Sequence, residues 1–489
     1  MNPETEKRKK DMVLYKNCLF LSFYSKERCE ETEMDKTIVY NGGKLKEKYS
    51  DIEKAIILPS VREIGFEAFK NAKSLKSVVI PDGVESIGID AFYGCESLEE
   101  ILIPDSAIRI GARAFWGCKN LKKVVLPSSI SMIDNEVFSL CTSLKEIIIP
   151  GRVRRIGKSA FYMCKSLEHI QLPSSLVSIA EYAFALCSSL THIDIPPSVR
   201  LIKFNAFSSC RSLEHIEIKG QITRIEKNLF SNCTSLSSIV LPGSIKRIES
   251  GAFYSSSSLE EITIPQGVKE IGKKAFYSCP SLKRVSFPHT LEVIDDSAFY
   301  KCKSLKEILL PSSLREIGRD AFSYCSSLER ADIEGNIENI KDRVFNKCHK
   351  LREVILPKSL KTIGYRSFYE CEALKSINVP ESVEEIGEEA FCRCRDIERV
   401  VVPDGVKRIE KGCFKGLLNL KEVTLPSSLE SIGSVAFFGC VSLSNISIPS
   451  TTSTIGDEAF ASCYMLKRIE MPETILVVGK NAFKDCKSQ

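Results

Sequence analysis

The 489-residue sequence predicts an α/β repeat solenoid, because a phenylalanine returns every 23 residues and a proline and a cysteine are locked to the same period. The phenylalanines begin at Phe69, Phe92 and Phe115 and continue without a miss to Phe483, so 19 of the 25 share one phase. Sixteen of the 20 prolines hold a second phase from Pro81 to Pro472, and 16 of the 20 cysteines follow the phenylalanine by three residues, as Cys95 and Cys118 do. A fixed period of this length is the signature of stacked supersecondary units. About nineteen coils are expected over residues 51–487. Residues 1–50 lack the repeat and are expected to cap the first coil through Leu14, Tyr15, Leu19, Phe20, Leu21 and Phe23.

One unit, Ser97 to Cys118, shows the elements in order, with the pattern S-L-x-x-I-x-I-P-x-S-V-x-x-I-G-x-x-A-F-x-x-C. Leu98-x-x-Ile101-x-Ile103 has the alternation of a short strand with one face inward. Pro104 ends it, since proline cannot donate the next ladder hydrogen bond. The apolar pair that follows, Val84 and Ile87 in the preceding coil, is expected to turn the chain back. Glycine at eleven coils, including Gly65, Gly88 and Gly111, suggests a backbone position with positive φ. The Ala-Phe step reads as a helical or 3₁₀ turn. The expected architecture therefore has short parallel strands on a concave face and helical or 3₁₀ turns on a convex face.

Energetics favour stacking over isolated coils. Burying about seven apolar side chains contributes roughly 1.5 to 3 kcal/mol each. Ordering one coil costs about 1.5 kcal/mol per residue, so a lone coil does not fold and neighbours must share a core.

Charge excludes some partners. With 68 basic and 63 acidic residues the net charge is +5, too balanced to draw in nucleic acid through a global field. The apolar stretch Met12 to Tyr24 is interrupted by Lys16 and Asn17, so neither a signal peptide nor a membrane span is expected, and sequence alone points to the cytoplasm. No catalytic constellation stands out. Gly151 to Ser159 echoes a phosphate loop but has five residues between its glycines where four are needed, and its Gly-Lys-Ser falls in the ordinary repeat turn. The cysteine slot also accepts Ala72, Ser256 and Leu417, which marks it as packing and not as a metal site. No enzyme activity, cofactor or metal is expected.

The combination I-P-x-S-V-x-x-I-G-x-x-A-F-x-x-C resembles the BspA-type leucine-rich repeats found in bacterial surface antigens and in parasitic protists. The resemblance covers about 435 of the 489 residues. It implies a leucine-rich-repeat solenoid without catalysis that binds a protein ligand as an adhesin or surface antigen. Members usually carry a leader or an anchor; neither is visible here, so an intracellular adaptor is the alternative.

Candidate binding residues are those the frame leaves free. The position after the inward strand Ile begins Val79, Leu102, Val125, Ile148 and then turns polar with Gln171, Asp194 and Glu217. Stacked apolar residues on an open sheet suit a protein partner, although β-branched residues also favour strands for their own sake. Two positions earlier stand His169, His192 and His215, which could offer a divalent metal or a pH-dependent contact. Repeat duplication explains the same stack without any binding. The last coil stops after Cys486 with no divergent capping repeat, so either end-to-end self-association or a shortened gene product is expected.

Overall fold

The computed structural model describes residues 36–42 and 51–487. The residues named above for the N-terminal cap, from Leu14 to Phe23, lie outside that range. The chain divides into two compact units, residues 1–176 and 177–489. Each is a parallel-strand solenoid, and about eighteen turns of 23 residues lead from Phe69 to Phe483.

Most turns contribute two strands; the turn at Ser376 has only an isolated bridge to Arg399 in place of the first. In unit 1, Glu100–Leu102 pairs in parallel with Lys123–Val125, and Ser86–Ile87 pairs with Arg109–Ile110. In unit 2, His192–Ile195 pairs with His215–Ile218, and Arg247–Ile248 with Glu270–Ile271. The apolar pair expected only to turn the chain, Val84 and Ile87, therefore ends in a second ladder, with Ile87 buried beside Ile110. Alternation sends Ile101 and Ile110 inward and leaves Glu100 and Arg109 exposed. Between the two ladders a serine or threonine hydroxyl ties adjacent coils, as Ser106 Oγ does by donating to the Val84 carbonyl at 2.7 Å.

The expectation of helical or 3₁₀ turns on one face is corrected: among the described residues the Ala-Phe step forms no helix. Alternate N–H groups leave the coil. Those of Glu67, Phe69 and Asn71 donate to the carbonyls of Ile89, Ala91 and Tyr93 in the next coil, while those of Ala68, Lys70 and Ala72 bond back three residues. A helix directs every interior N–H along its own axis, so the alternation excludes one. It also requires left-handed backbone two residues before and two residues after each phenylalanine, as at Glu67 (φ 56°) and Asn71 (φ 62°).

The glycine expectation changes with it. Gly88 and Gly111 are absent from the positive-φ positions. What favours glycine there is proximity: a Cβ on Gly111 would stand 2.6 Å from the Ile89 nitrogen, and one on Gly88 would stand 2.7 Å from the Gly65 carbonyl carbon. Where Lys219 and Glu334 replace proline, their N–H groups bond the Ile195 and Leu310 carbonyls, and the strands extend to Ile218 and Ile333.

The core is a set of ladders. Within each unit the buried phenylalanine rings stack nearly parallel, with centroids 5.2 Å apart for Phe69–Phe92 and 5.0 Å for Phe276–Phe299. Cysteines of the repeat are buried beside them and donate their thiols to the carbonyl of the previous coil's phenylalanine, as Cys95 does to Phe69 at 3.1 Å and Cys302 to Phe276 at 3.2 Å. Ser256 fills the slot in the same manner, 2.9 Å from the Phe230 carbonyl.

At the start, Thr37–Tyr40 adds a strand in parallel register with Lys54–Ile57. Tyr40 lies fully buried against Phe69, its ring tilted by 53°, and its hydroxyl accepts from the Gly65 N–H at 3.1 Å. At the other end, Val478 occupies a core position yet is 49% exposed, against 1% for its equivalent Ile455 one coil earlier.

Candidate ligand-binding face

The exposed strand positions of unit 1 include a continuous aliphatic row. In unit 1 parallel register places Val79 beside Ile56 and Leu102 beside Val125. Val79, Leu102 and Val125 are half-buried by their neighbours, whereas Ile148 at the end of the row is 80% exposed. The row also starts earlier than the sequence suggested. Val39, 56% exposed, pairs with Ile56, which in turn pairs with Val79. Both were hidden because the first coil lacks the in-phase proline; the alternation in Thr37-Ile-Val-Tyr40 is the signal that could have found Val39. The result is an uncharged aliphatic row of six, Val39, Ile56, Val79, Leu102, Val125 and Ile148. The adjoining exposed row is polar and ends in Glu100, Lys123 and Glu146.

In the three coils after Ile148 this position is polar, before exposed aliphatic residues return in unit 2 at Val240, Leu309, Ile355 and Val401. Gln171 pairs with Ile148 and His169 with Glu146, both exposed and both in unit 1. In unit 2, His192 pairs with His215 and Asp194 with Glu217. The two imidazoles lie nearly parallel with centroids 6.3 Å apart. His192 Nε2 is 3.4 Å from Asp194 Oδ1, and Glu217 is held by Lys219 at 3.0 Å. Among the described residues no three His, Cys, Asp or Glu side chains converge on a common point that would hold a metal ion. The structure thus places His192, Asp194, His215 and Glu217 together as a polar patch with the wrong geometry for the metal site considered above.

Elsewhere on the strand face of unit 2, opposite charges neutralise each other across coils. Arg284 pairs with Glu261 at 2.6 Å and Arg330 with Glu353 at 2.8 Å. Such exposed pairs contribute little stability. Burial disfavours the reactive thiolate in the ladder: desolvation pushes the thiols of Cys95, Cys233 and Cys279 up to about 12. No helix among the described residues is long and apolar enough to cross a membrane.

With this geometry in place, comparison with known proteins gives a consistent result. The family described as BspA type Leucine rich repeat region (6 copies) matches residues 62–175, 154–283, 269–398 and 384–489. A leucine-rich repeat protein from Bacteroides ovatus is similar at 29% identity over 81% of this chain and 85% of its own, with a TM-score of 0.53. A leucine rich cell surface protein from Faecalibacterium prausnitzii matches at 25% identity over 80% of this chain and 91% of its own, with a TM-score of 0.38. No curated protein matches.

Proposed function

Because this chain belongs to the BspA-type leucine-rich-repeat family, whose repeats form scaffolds and not enzymes, we propose that it is a non-enzymatic protein-binding scaffold. Its ligand is a protein that docks on the strand face of unit 1. The observation that carries this reading is the uncharged row from Val39 to Ile148, ending in an isoleucine 80% exposed. A charged or polar residue at these outward positions would cost the fold nothing, as Gln171, Asp194 and Glu217 show one to three coils further on. Aliphatic side chains held open on a rigid sheet are the usual mark of an interface core.

A second reading rests on the His192–His215 pair beside Asp194, a patch of the kind that makes a pH-dependent contact with a partner. The family resemblance favours display at a cell surface as an adhesin or surface antigen, with an intracellular adaptor as the alternative; labelling of intact cells with an impermeant reagent distinguishes the two.

The test of the binding face uses quantitative capture by the full chain and by Val79→Glu/Ile148→Glu. A partner retained by the wild type and depleted about tenfold with the variant supports the face. Equal capture by both refutes it.

A further inference from the structure

Unit 2 carries a second surface, on the turn that follows the core phenylalanines. The residue after each phenylalanine in three successive coils is tyrosine, and these rings stack: Tyr254 on Tyr277 at 5.0 Å and Tyr277 on Tyr300 at 4.8 Å, tilted by only 5° and 12°. In the next coil the aromatic moves one residue along, to Tyr324, 5.3 Å from Tyr300. The rings are half-exposed. Their hydroxyl groups have no hydrogen-bond partner among the described residues.

Ammonium groups line this column. Lys274 Nζ lies 5.6 Å from the Tyr277 centroid. Lys301 lies 5.3 Å from Tyr300 and 5.7 Å from Tyr324, and Lys347 approaches Tyr324 from the next coil at 5.2 Å. Tyr324 is thus sandwiched between two ammonium groups. Cation–π contact orients these lysines without cancelling their charge. Lys274 and Lys301 form no ion pair among the described residues, and Lys347 has only a 3.8 Å contact with Glu370, a carboxylate that Arg393 holds at 2.8 Å. The nearby Asp320 is taken up by Arg343 at 2.9 Å. Lys283, by contrast, is matched across coils by Glu260 at 2.8 Å.

We propose that this column binds an acidic polysaccharide chain. Phenol hydroxyls recur once per coil, about 4.8 Å apart along the stack, close to the advance of one sugar in an extended chain. Each hydroxyl can both donate and accept to sugar hydroxyls. The ammonium groups supply counter-charges for carboxylate or sulfate substituents. Single-stranded nucleic acid is the weaker fit, because base recognition on such a platform needs a free aromatic face, and here ring faces are occupied by one another or by lysine.

The experiment measures fluorescence anisotropy of a labelled chondroitin sulfate oligosaccharide, long enough to span four coils, with the full chain at about 0.15 M salt. Saturable binding is expected, weakened about tenfold or more in Lys301→Gln/Lys347→Gln, since two charge-assisted contacts are lost. Lys119→Gln/Lys122→Gln removes the same charge from paired lysines of unit 1 and should change nothing. Tyr277→Phe/Tyr300→Phe keeps the rings and removes the hydroxyls, and should weaken binding several-fold. Four results overturn the proposal: no saturable binding, equal loss with the unit 1 pair, equal affinity for an uncharged oligosaccharide, or tighter binding of a labelled oligothymidylate of matching length.

Discussion

Cys118 reaches back across a coil to donate its thiol to the carbonyl of Phe92 at 3.3 Å. That bond gives the cysteine slot a polar duty in addition to packing. Replacing Cys118 by Ser should be mild, because Ser256 already makes the equivalent bond to Phe230. Cys118→Val keeps the bulk but leaves the carbonyl with one donor fewer, at a cost of about 1 to 2 kcal/mol. Urea denaturation of the two variants checks the ranking; equal midpoints would show that the bond carries no weight.

The same burial sets an alkaline limit. The thiol of Cys95 is raised by desolvation from 9.0 to about 12, and those of Cys233, Cys279 and Cys463 likewise. In the unfolded chain these groups ionise near 9, while the folded protein keeps them protonated. Stability is therefore fully present below pH 9 and declines from there toward 12, with a slope set by the number of thiols. Thermal midpoints measured across that interval should fall steeply, and more steeply than in a variant with several ladder cysteines changed to serine.

At the start of unit 1 the sign is reversed. Glu53 accepts from Lys76 Nζ at 2.6 Å and also pairs with Lys36, and hydrogen bonds from Lys36 and then Lys76 hold its carboxyl down at about 2, against an ordinary 4.5. Its contribution is complete above pH 4.5 and is lost as pH falls toward 2. Amide exchange at Thr37–Tyr40 should accelerate over that range, after correction for intrinsic rates, and Glu53→Gln should flatten the dependence. Screening makes the effect small in free energy, so exchange is a better probe than global unfolding.

Gly111 tests the close approach between coils. With its Cβ position 2.6 Å from the Ile89 nitrogen, Gly111→Val should destabilise unit 1 by about 2 to 4 kcal/mol through overpacking against backbone. Gly151, whose Cβ would meet nothing within 4 Å, should accept valine at less than about 1 kcal/mol.

The legible parts of this fold were those where one residue type is forced by packing. Phenylalanine and leucine repeat because stacked coils leave an apolar slot between them, and proline repeats where the strand's hydrogen bonding stops. The second ladder was hidden since Arg109–Ile110 is too short for alternation to register. The left-handed positions were hidden for another reason: bonds to the next coil impose the conformation, so Glu67, Arg113 and even Val435 occupy it with no glycine to announce it. In the candidate face, the row from Val79 to Ile148 could be read from the period alone. The His192–His215 arrangement could not, because sequence gives the order of rows but not the direction in which their rings point.

The alternation of N–H groups around each phenylalanine has a kinetic consequence. Among the described residues the coils hold strands of only two to four residues and turns that form no helix, so no coil has a local element that can form by itself. The smallest nucleus is a pair of adjacent coils, closed by contacts 22 to 26 residues apart, as in Ser106–Val84 and Cys95–Phe69. Each later coil adds at the same sequence separation, so elongation should cost the same loop entropy at every step. Mean contact separation stays fixed as the array lengthens, and folding time should grow with the number of steps and not with the length of any one loop.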